Sequence, residues 1–348
     1  MNYKNLIISE SKTILDALNN LNSIKNVSRL ILFVKSDNNE AIIGSLTDGD
    51  IRRSLIKDGD LNKKLGEICY KDFCYKNESN SFIDLKTLKK KNIQILPLLH
   101  ENKKMSRIID LNTTKSILPL ECVIMAGGRG KRLSPLTDSV PKPMLLLANK
   151  PIIEYNIDRL ISYGIKKIYI SVNYLGKQIE SYFGDGSSKG IQIEYIWEDK
   201  PLGTAGSLSL VSEFKTDHII LMNSDLFTNV DFEGMYLKLI NTEADMVVAS
   251  SEYKIDVPFA VFESENQKVK SFKEKPSYIY HSNAGVYLFK KELINRIQKN
   301  TYFDITDLMD EIINNGGQLL HDPIRGYWID IGKIDDYERA QDFIKHLK

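Results

Sequence analysis

The chain has 348 residues, which at about 150 residues per domain makes two domains the first expectation. Apolar residues make up 42% and charged residues 27%, so a core of ordinary size is available without disulfides or a structural metal. Lys and Arg total 47 against 46 Asp and Glu, a net charge of +1, which argues against bulk nucleic-acid binding but leaves room for a local cationic pocket. The three cysteines, Cys69, Cys74 and Cys122, are odd in number and scattered. They suggest neither a disulfide framework nor a zinc site, and they fit a reducing cytoplasm. The opening segment has too short an apolar stretch for a leader, because Glu10 interrupts it, and no run approaches the ~18 apolar residues of a membrane span.

The periodicity predicts a helix over residues 11–21, with Ser11 as its cap and Ile14, Leu15, Leu18 and Leu21 on one face. Strands follow over 30–34 and 41–45, separated by a turn at 37–39, and then a helix over 48–57. The same order recurs more weakly from Ser81: a helix over 82–91 and strands over 94–98 and 107–110. The second copy lacks its last helix. Residues 112–119 read as a short connection, with no Pro-rich or Gly/Ser-rich linker.

The motif Gly44-Ser-Leu-Thr47-Asp-Gly-Asp50-Ile sits at a predicted strand-to-helix junction. This tandem unit resembles a pair of cystathionine-β-synthase-type (CBS) domains, modules that bind adenine nucleotides. The resemblance implies that Thr47 and Asp50 hold ribose hydroxyls, since a carboxylate accepts two hydrogen bonds from a diol and the adjacent helix start attracts phosphate. The bland reading is that Thr47 and Asp50 only cap the helix. The resemblance also implies a homo-oligomer.

Near residue 120 the chain changes character. A buried-strand pattern over 121–126 is followed by strands over 167–172, 191–197 and 218–222, with an amphipathic helix over 151–163 that includes Asn156 in its stripe. Strands alternating with helices point to a mostly parallel sheet covered on both faces.

The first strand runs directly into Ala126-Gly127-Gly128-Arg129-Gly130-Lys131-Arg132, and Pro141-Lys142-Pro143 follows shortly after. Glycines let backbone N–H groups approach phosphate oxygens, and the cations suit the charge that grows on a departing pyrophosphate. The two prolines are expected to hold Lys142 on a stiff, extended segment. The spacing matches neither the dinucleotide fingerprint nor a Walker A loop. Further on come Glu198-Asp199-Lys-Pro201-Leu-Gly203-Thr204-Ala-Gly206, Asn223-Ser-Asp225, Glu274-Lys275-Pro276, Asn283-Ala-Gly and Trp328-Ile-Asp330. The five histidines form no metal spacing, and His218 reads as structural.

In these blocks, over roughly residues 120–348, the chain resembles the sugar-1-phosphate nucleotidyltransferases. The resemblance implies a Rossmann-like, mostly parallel (GT-A-like) α/β domain over 119–348, preceded by a smaller α+β CBS pair over 1–118. It assigns Arg132, Lys142 and Asp225 to catalysis and the nucleotide to Ala126, Gly127, Gly128, Gly130, Lys131, Glu198, Gly203 and Thr204. Gly206, Glu274, Lys275 and Asn283 would hold the sugar phosphate, and Asp225 with Asp330 a Mg²⁺ ion. Lys131 departs from the small hydroxyl residue common in relatives, and Ser224 from their glycine. An acidic Glu198 or Asp199 beside the base loop favours guanine, whose N1 and N2 are both donors.

The expected reaction joins an NTP, with GTP favoured, to a sugar 1-phosphate and releases pyrophosphate. The architecture resembles bacterial guanylyltransferases of surface-sugar pathways. The glucosamine-1-phosphate enzymes of legionaminic acid synthesis come first, with mannose- and heptose-1-phosphate enzymes as rivals and uridylyl or thymidylyl transfer after them. A non-catalytic nucleotide-sensing regulator is the reading from another class, and loss of Arg132, Lys142, Asp225 or Asp330 would have marked it. All four are present.

Overall fold

The computed structural model describes residues 3–23, 31–78 and 82–347. Of the sequence expectations, Leu30 at a strand start and Ser81 at the start of the second copy lie outside the described residues. So does the first part of the opening segment. The chain divides into two compact units, Met1–Ile117 and Leu118–Lys348.

The first unit is a tandem repeat in three dimensions. Copy one runs β1 (Ile7–Ser9), α1 (Ile14–Ser23), β2 (Ile31–Lys35), β3 (Ile42–Thr47), α2 (Asp48–Asp58) and the short α3 (Leu65–Ile68). Copy two runs β4 (Lys76–Asn77), α4 (Lys86–Lys90), β5 (Ile95–Leu99) and β6 (Met105–Asp110). In each copy the first strand is parallel to the second and the second antiparallel to the third. Among the described residues no helix follows β6 before the second unit begins. Leu6, Phe33 and Ile42 of the first copy pack with Ile95, Leu99 and Ile108 of the second, which closes the unit around one apolar seam.

Three local expectations need correction. The cap of α1 is Thr13, not Ser11: Thr13 Oγ1 accepts from the Asp16 N–H at 3.3 Å, and Asp16 returns the favour to the Thr13 N–H at 2.9 Å. Helix α1 buries Ile14, Ala17 and Leu21 and leaves Leu15 47% exposed, because its buried face centres on Ala17. Helix α4 covers only Lys86–Lys90, since Asp84 Oδ1 accepts from the Lys86 N–H and closes a turn ahead of it.

The second unit is built on a seven-stranded sheet. Its strands are β7 (Leu120–Met125), β10 (Lys167–Val172), β11 (Gln192–Trp197), β12 (His218–Asn223), β14 (Met246–Asp256), β17 (Ser277–Lys290) and β18 (Leu319–Pro323), in the order β11-β10-β7-β12-β17-β14-β18. The first four are mutually parallel, β17 is antiparallel to both its neighbours, and β14 and β18 are parallel. Two short strands, β8 (Leu146–Leu147) and β9 (Lys150–Pro151), lead into α5 (Ile152–Ser162). Helix α6 (Gly176–Phe183) follows β10, and β13 (Leu226–Thr228) and α7 (Phe232–Thr242) follow β12. The chain ends with α8 (Ile305–Asn314), β19 (Trp328–Asp330) and α9 (Ile334–His346). Near-continuous apolar runs in β7, β10 and β12 are buried on both faces, as central parallel strands require.

The hairpin β15 (Val261–Glu265) and β16 (Lys268–Lys273) stands at the far end of β14 and β17. Beyond half-buried Val261 it is solvated, with Phe262 and Phe272 opposite each other in register and each 63% exposed.

Candidate active site

A cleft of about 810 Å³ opens at the carboxyl ends of the four parallel strands. Residues directly after each strand line it: Gly127 to Arg132 after β7, Asn173 and Tyr174 after β10, Glu198 after β11, and Ser224 and Asp225 after β12. Side chains at this edge escape the sheet's own packing, which is why open α/β sheets bind ligands there.

The glycine-rich turn and the Pro-Lys-Pro segment meet through Gly130. It has φ +63°, and a Cβ there would lie 2.9 Å from Lys142 Cβ. Thr137 Oγ1 donates to the Gly130 carbonyl at 2.9 Å and locks the turn. Lys142 is not on an extended segment as expected: Lys142–Met144 form a 3-10 turn, with Pro143 inside its first residues. That turn brings Lys142 Nζ onto Asp225 Oδ2 in an ion pair whose side chains are only 12% and 19% exposed.

Asp225 Oδ1 is buried and accepts no hydrogen bond among the described residues. Asp330 is next to it, because Leu226 and Asp330 are register partners in β13 and β19 and the Ile331 N–H donates to the Asp225 carbonyl at 3.1 Å. Burial raises the Asp330 pKa, and the charge of Asp225 raises it further against the pull of Lys142 and Arg132. The Arg132 guanidinium lies over Gly332, where a Cβ would be 3.6 Å from it. Two acids and two bases from four separate segments thus converge.

Helix α5 holds this arrangement from beneath. Asn156, buried in what reads as an apolar stripe, donates its amide to the Leu226 carbonyl at 2.9 Å and to the Ser224 carbonyl at 3.4 Å. Replacing Asn156 with Leu should cost about 1–3 kcal/mol, because both carbonyls stay buried without a donor. A urea midpoint equal to that of the unaltered chain would show that those bonds are not needed.

Other residues singled out in the sequence fall in different places. Gly127, Gly128, Lys131, Gly203 and Thr204 line the cleft. Ala126 is beneath it, its N–H bonded to the Ser171 carbonyl at 2.8 Å, and Gly206 is buried with its N–H on the Phe303 carbonyl. Glu198 lines the cleft, but Ser171 donates to its Oε1 and the Leu202 N–H to its Oε2, so each oxygen keeps one lone pair for a ligand. Asp199 is exposed and outside the lining. Glu274, Lys275 and Asn283 are solvated and also outside it, and Asn283 Oδ1 accepts from the Gly285 N–H at 2.9 Å.

His218 packs edge-on against Tyr236, and burial lowers its pKa. Its place at the opposite end of β12 from the cleft suits a structural role. The sequence reading gave no role to Asn173, Tyr174, Asn223, Tyr302 or Asp304, all of which line the cleft. One signal was available for Asp304: Asp304-Ile-Thr-Asp307 is a capping pattern, and both halves of the box form at the start of α8.

In the first unit, Thr47 and Asp50 bond to each other. The Thr47 N–H and Oγ1 donate to Asp50 Oδ2 at 2.8 and 2.6 Å, and Arg53 pairs with the other oxygen.

A glycine turn, several cations and two neighbouring acids at the carboxyl edge of a parallel sheet are residue types that suit a polyphosphate-bearing ligand. The chain belongs to the nucleotidyl transferase family, whose sequence profile matches residues 121–346. It is 33% identical over 229 residues to the mannose-1-phosphate guanylyltransferase catalytic subunit beta of Xenopus tropicalis. That match spans 63% of this chain and 62% of that protein, so the chain covers under two thirds of this relative. A D-glycero-alpha-D-manno-heptose 1-phosphate guanylyltransferase of Aneurinibacillus thermoaerophilus is 32% identical over 238 residues, covering 65% of this chain and 99% of that protein. A UTP–glucose-1-phosphate uridylyltransferase of Synechocystis is 30% identical over 247 residues, covering 64% and 62%. Among solved structures, HddC from Yersinia pseudotuberculosis shares the fold at a TM-score of 0.51 and 24% identity, over 64% of this chain and 99% of that one. Among the described residues no helix is long and apolar enough to cross a membrane.

Proposed function

We propose that the second unit transfers a nucleotidyl group from an NTP to a sugar 1-phosphate, with GTP as the donor. The observation that carries this is the Lys142–Asp225 ion pair in a cleft lined by the glycine turn and Arg132, with Asp330 beside Asp225 through the β13–β19 register. An oxygen of the sugar phosphate attacks the α-phosphorus. A new P–O bond forms there as the bond to the bridging oxygen breaks, and the electron pair leaves with pyrophosphate. A phosphate dianion needs no general base, so the chain's task is alignment and charge stabilisation. Arg132 and Lys142 would face the departing pyrophosphate, and the turn amides would cradle the donor's phosphates.

Asp225 and Asp330 suit a Mg²⁺ ion: two adjacent carboxylates, one with an unpartnered buried oxygen. Among the described residues no cluster of three or more acidic, His or Cys side chains could hold a metal. Phosphate oxygens and water would therefore complete the shell. When bound, the ion would supply Lewis-acid stabilisation to the phosphates. Lys142 must release Asp225 Oδ2 if both of that residue's oxygens are to serve the ion.

Glu198 and the guanylyltransferase relatives support guanine over uracil. The sequence resemblance is the ground for glucosamine 1-phosphate as acceptor, and the names of the relatives support mannose and heptose 1-phosphates as the alternatives. The test is a grid of GTP, UTP, dTTP, CTP and ATP against those sugar phosphates, with pyrophosphate measured. GTP should give the fastest release. No release with any pair would sink the enzymatic reading, and a UTP or dTTP preference would sink the guanine assignment.

The repeated strand order supports a CBS-type pair in the first unit. With Thr47 and Asp50 engaged in capping α2, an adenine nucleotide would have to displace that pairing. Calorimetric titration of AMP and ATP against the full chain tests this, and light scattering tests the expected homo-oligomer.

A further inference from the structure

We propose that Asp304 is a positioning residue that holds the loop of residues 201–206 in its donor-binding conformation. This rests on the nucleotidyl-transfer reading above and adds to it a residue far away in sequence. Asp304 is the N-cap of α8, and an ordinary cap serves only its own helix. Here Asp304 Oδ1 also accepts from the Thr204 N–H at 2.9 Å and from Thr204 Oγ1 at 3.2 Å. Thr204 Oγ1 in turn accepts from the Ile305 N–H at 2.8 Å. Loop and helix therefore cap one another.

Phe303 extends the exchange. Its carbonyl accepts from the Ala205 and Gly206 N–H groups, each at 3.0 Å, and its N–H donates to the Leu202 carbonyl at 2.9 Å. Gly203 permits the approach: it has φ +77°, and a Cβ there would lie 2.7 Å from the Phe303 carbonyl and 2.8 Å from Asp304 Oδ1. Tyr302 Oη donates to Asp304 Oδ2 at 2.7 Å and fixes the carboxylate's rotation. Burial pushes the Asp304 pKa up, and the hydrogen bonds from Tyr302 and Thr204 outweigh it, so the group stays anionic. Tyr302, Gly203, Thr204 and Asp304 all line the cleft. A loop already ordered by these bonds costs an incoming nucleotide little conformational entropy. Without them, donor binding would have to order the loop.

The test compares Asp304→Ala, Asp304→Asn and Tyr302→Phe with the unaltered chain. Asp304→Ala should raise the KM for GTP at least ~10-fold and change kcat less than ~3-fold, the scale of losing hydrogen bonds to a charged acceptor. Asp304→Asn keeps an acceptor oxygen and should recover most of the loss, and Tyr302→Phe should have a smaller effect of the same sign. Hydrogen exchange at the amides of residues 204–206 should speed up in Asp304→Ala and not in Asp304→Asn. An unchanged KM with unchanged exchange would overturn the proposal, as would equal damage from Ala and Asn. If the unaltered chain releases no pyrophosphate, the activity reading fails, and GTP affinity by calorimetry with the exchange data still judges Asp304. If Asp304→Ala does not fold, Thr204→Val decides on the same two readouts.

Discussion

Asp225→Asn is expected to lower the rate of pyrophosphate release at least ~100-fold, the scale of losing one charge-stabilising group from a preorganised site. The side chain keeps its size, and its remaining carbonyl oxygen can still accept from Lys142 Nζ, so the fold should survive. What disappears is the negative charge. Asp225 supplies a buried oxygen without a partner, beside a second carboxylate whose own ionisation burial and Asp225 already disfavour. With Asn in place, Asp330 would keep Lys142 and Arg132 nearby but have no second acid with which to share a cation. The measurement is initial rate against Mg²⁺ concentration, with the thermal midpoint as the control on folding. A rate within a few-fold of the unaltered chain would remove Asp225 from the mechanism. A large loss accompanied by a collapsed midpoint would mean that the ion pair with Lys142 holds the fold instead.

Arg132→Ala is expected to have an effect of similar size with less structural risk. Arg132 is exposed on the cleft side of a 3-10 turn, and its guanidinium rests over Gly332 rather than in a core. Deleting it breaks no ion pair among the described residues and removes only part of the charge that offsets Asp330, so stability should change by no more than about 0.5 kcal/mol. The loss should fall on kcat, because a cation in the proposed role of facing the departing pyrophosphate matters most when charge is developing there. Arg132→Lys should recover part of the rate, since it restores the charge without the planar fork. If Arg132→Ala changes only the KM for the NTP, the residue contributes uniform binding and not charge stabilisation.

Much of the fold was legible because its signals are local. Apolar runs of strand length announced β7, β10 and β12, and a glycine-rich turn directly after β7 marked the carboxyl edge of a parallel sheet. The repeat of the first unit was legible as an order of periodicities, down to the helix missing from the second copy. Helix starts were less secure. Ser11 and Thr13 are both good caps, and what separates them is whether an acid three residues on can reach back, which Asp16 does for Thr13. Asn156 looked like a member of an apolar stripe because periodicity records which face is buried and not what waits there.

The sequence by itself determined which segments hold residue types suited to phosphate: glycines where backbone must come close, cations beside them, and acids at strand ends. These follow from residue type and from spacing along one element. Only the tertiary structure decided which of those groups meet. It paired Lys142 with Asp225, set Asp330 beside them through a two-stranded contact, and left Glu274 and Lys275 outside the cleft. It also brought Asp304 to Thr204 across a hundred residues of chain. Such meetings depend on how helices and strands pack around a shared core, and no local periodicity encodes the distance between two loops that the core brings together.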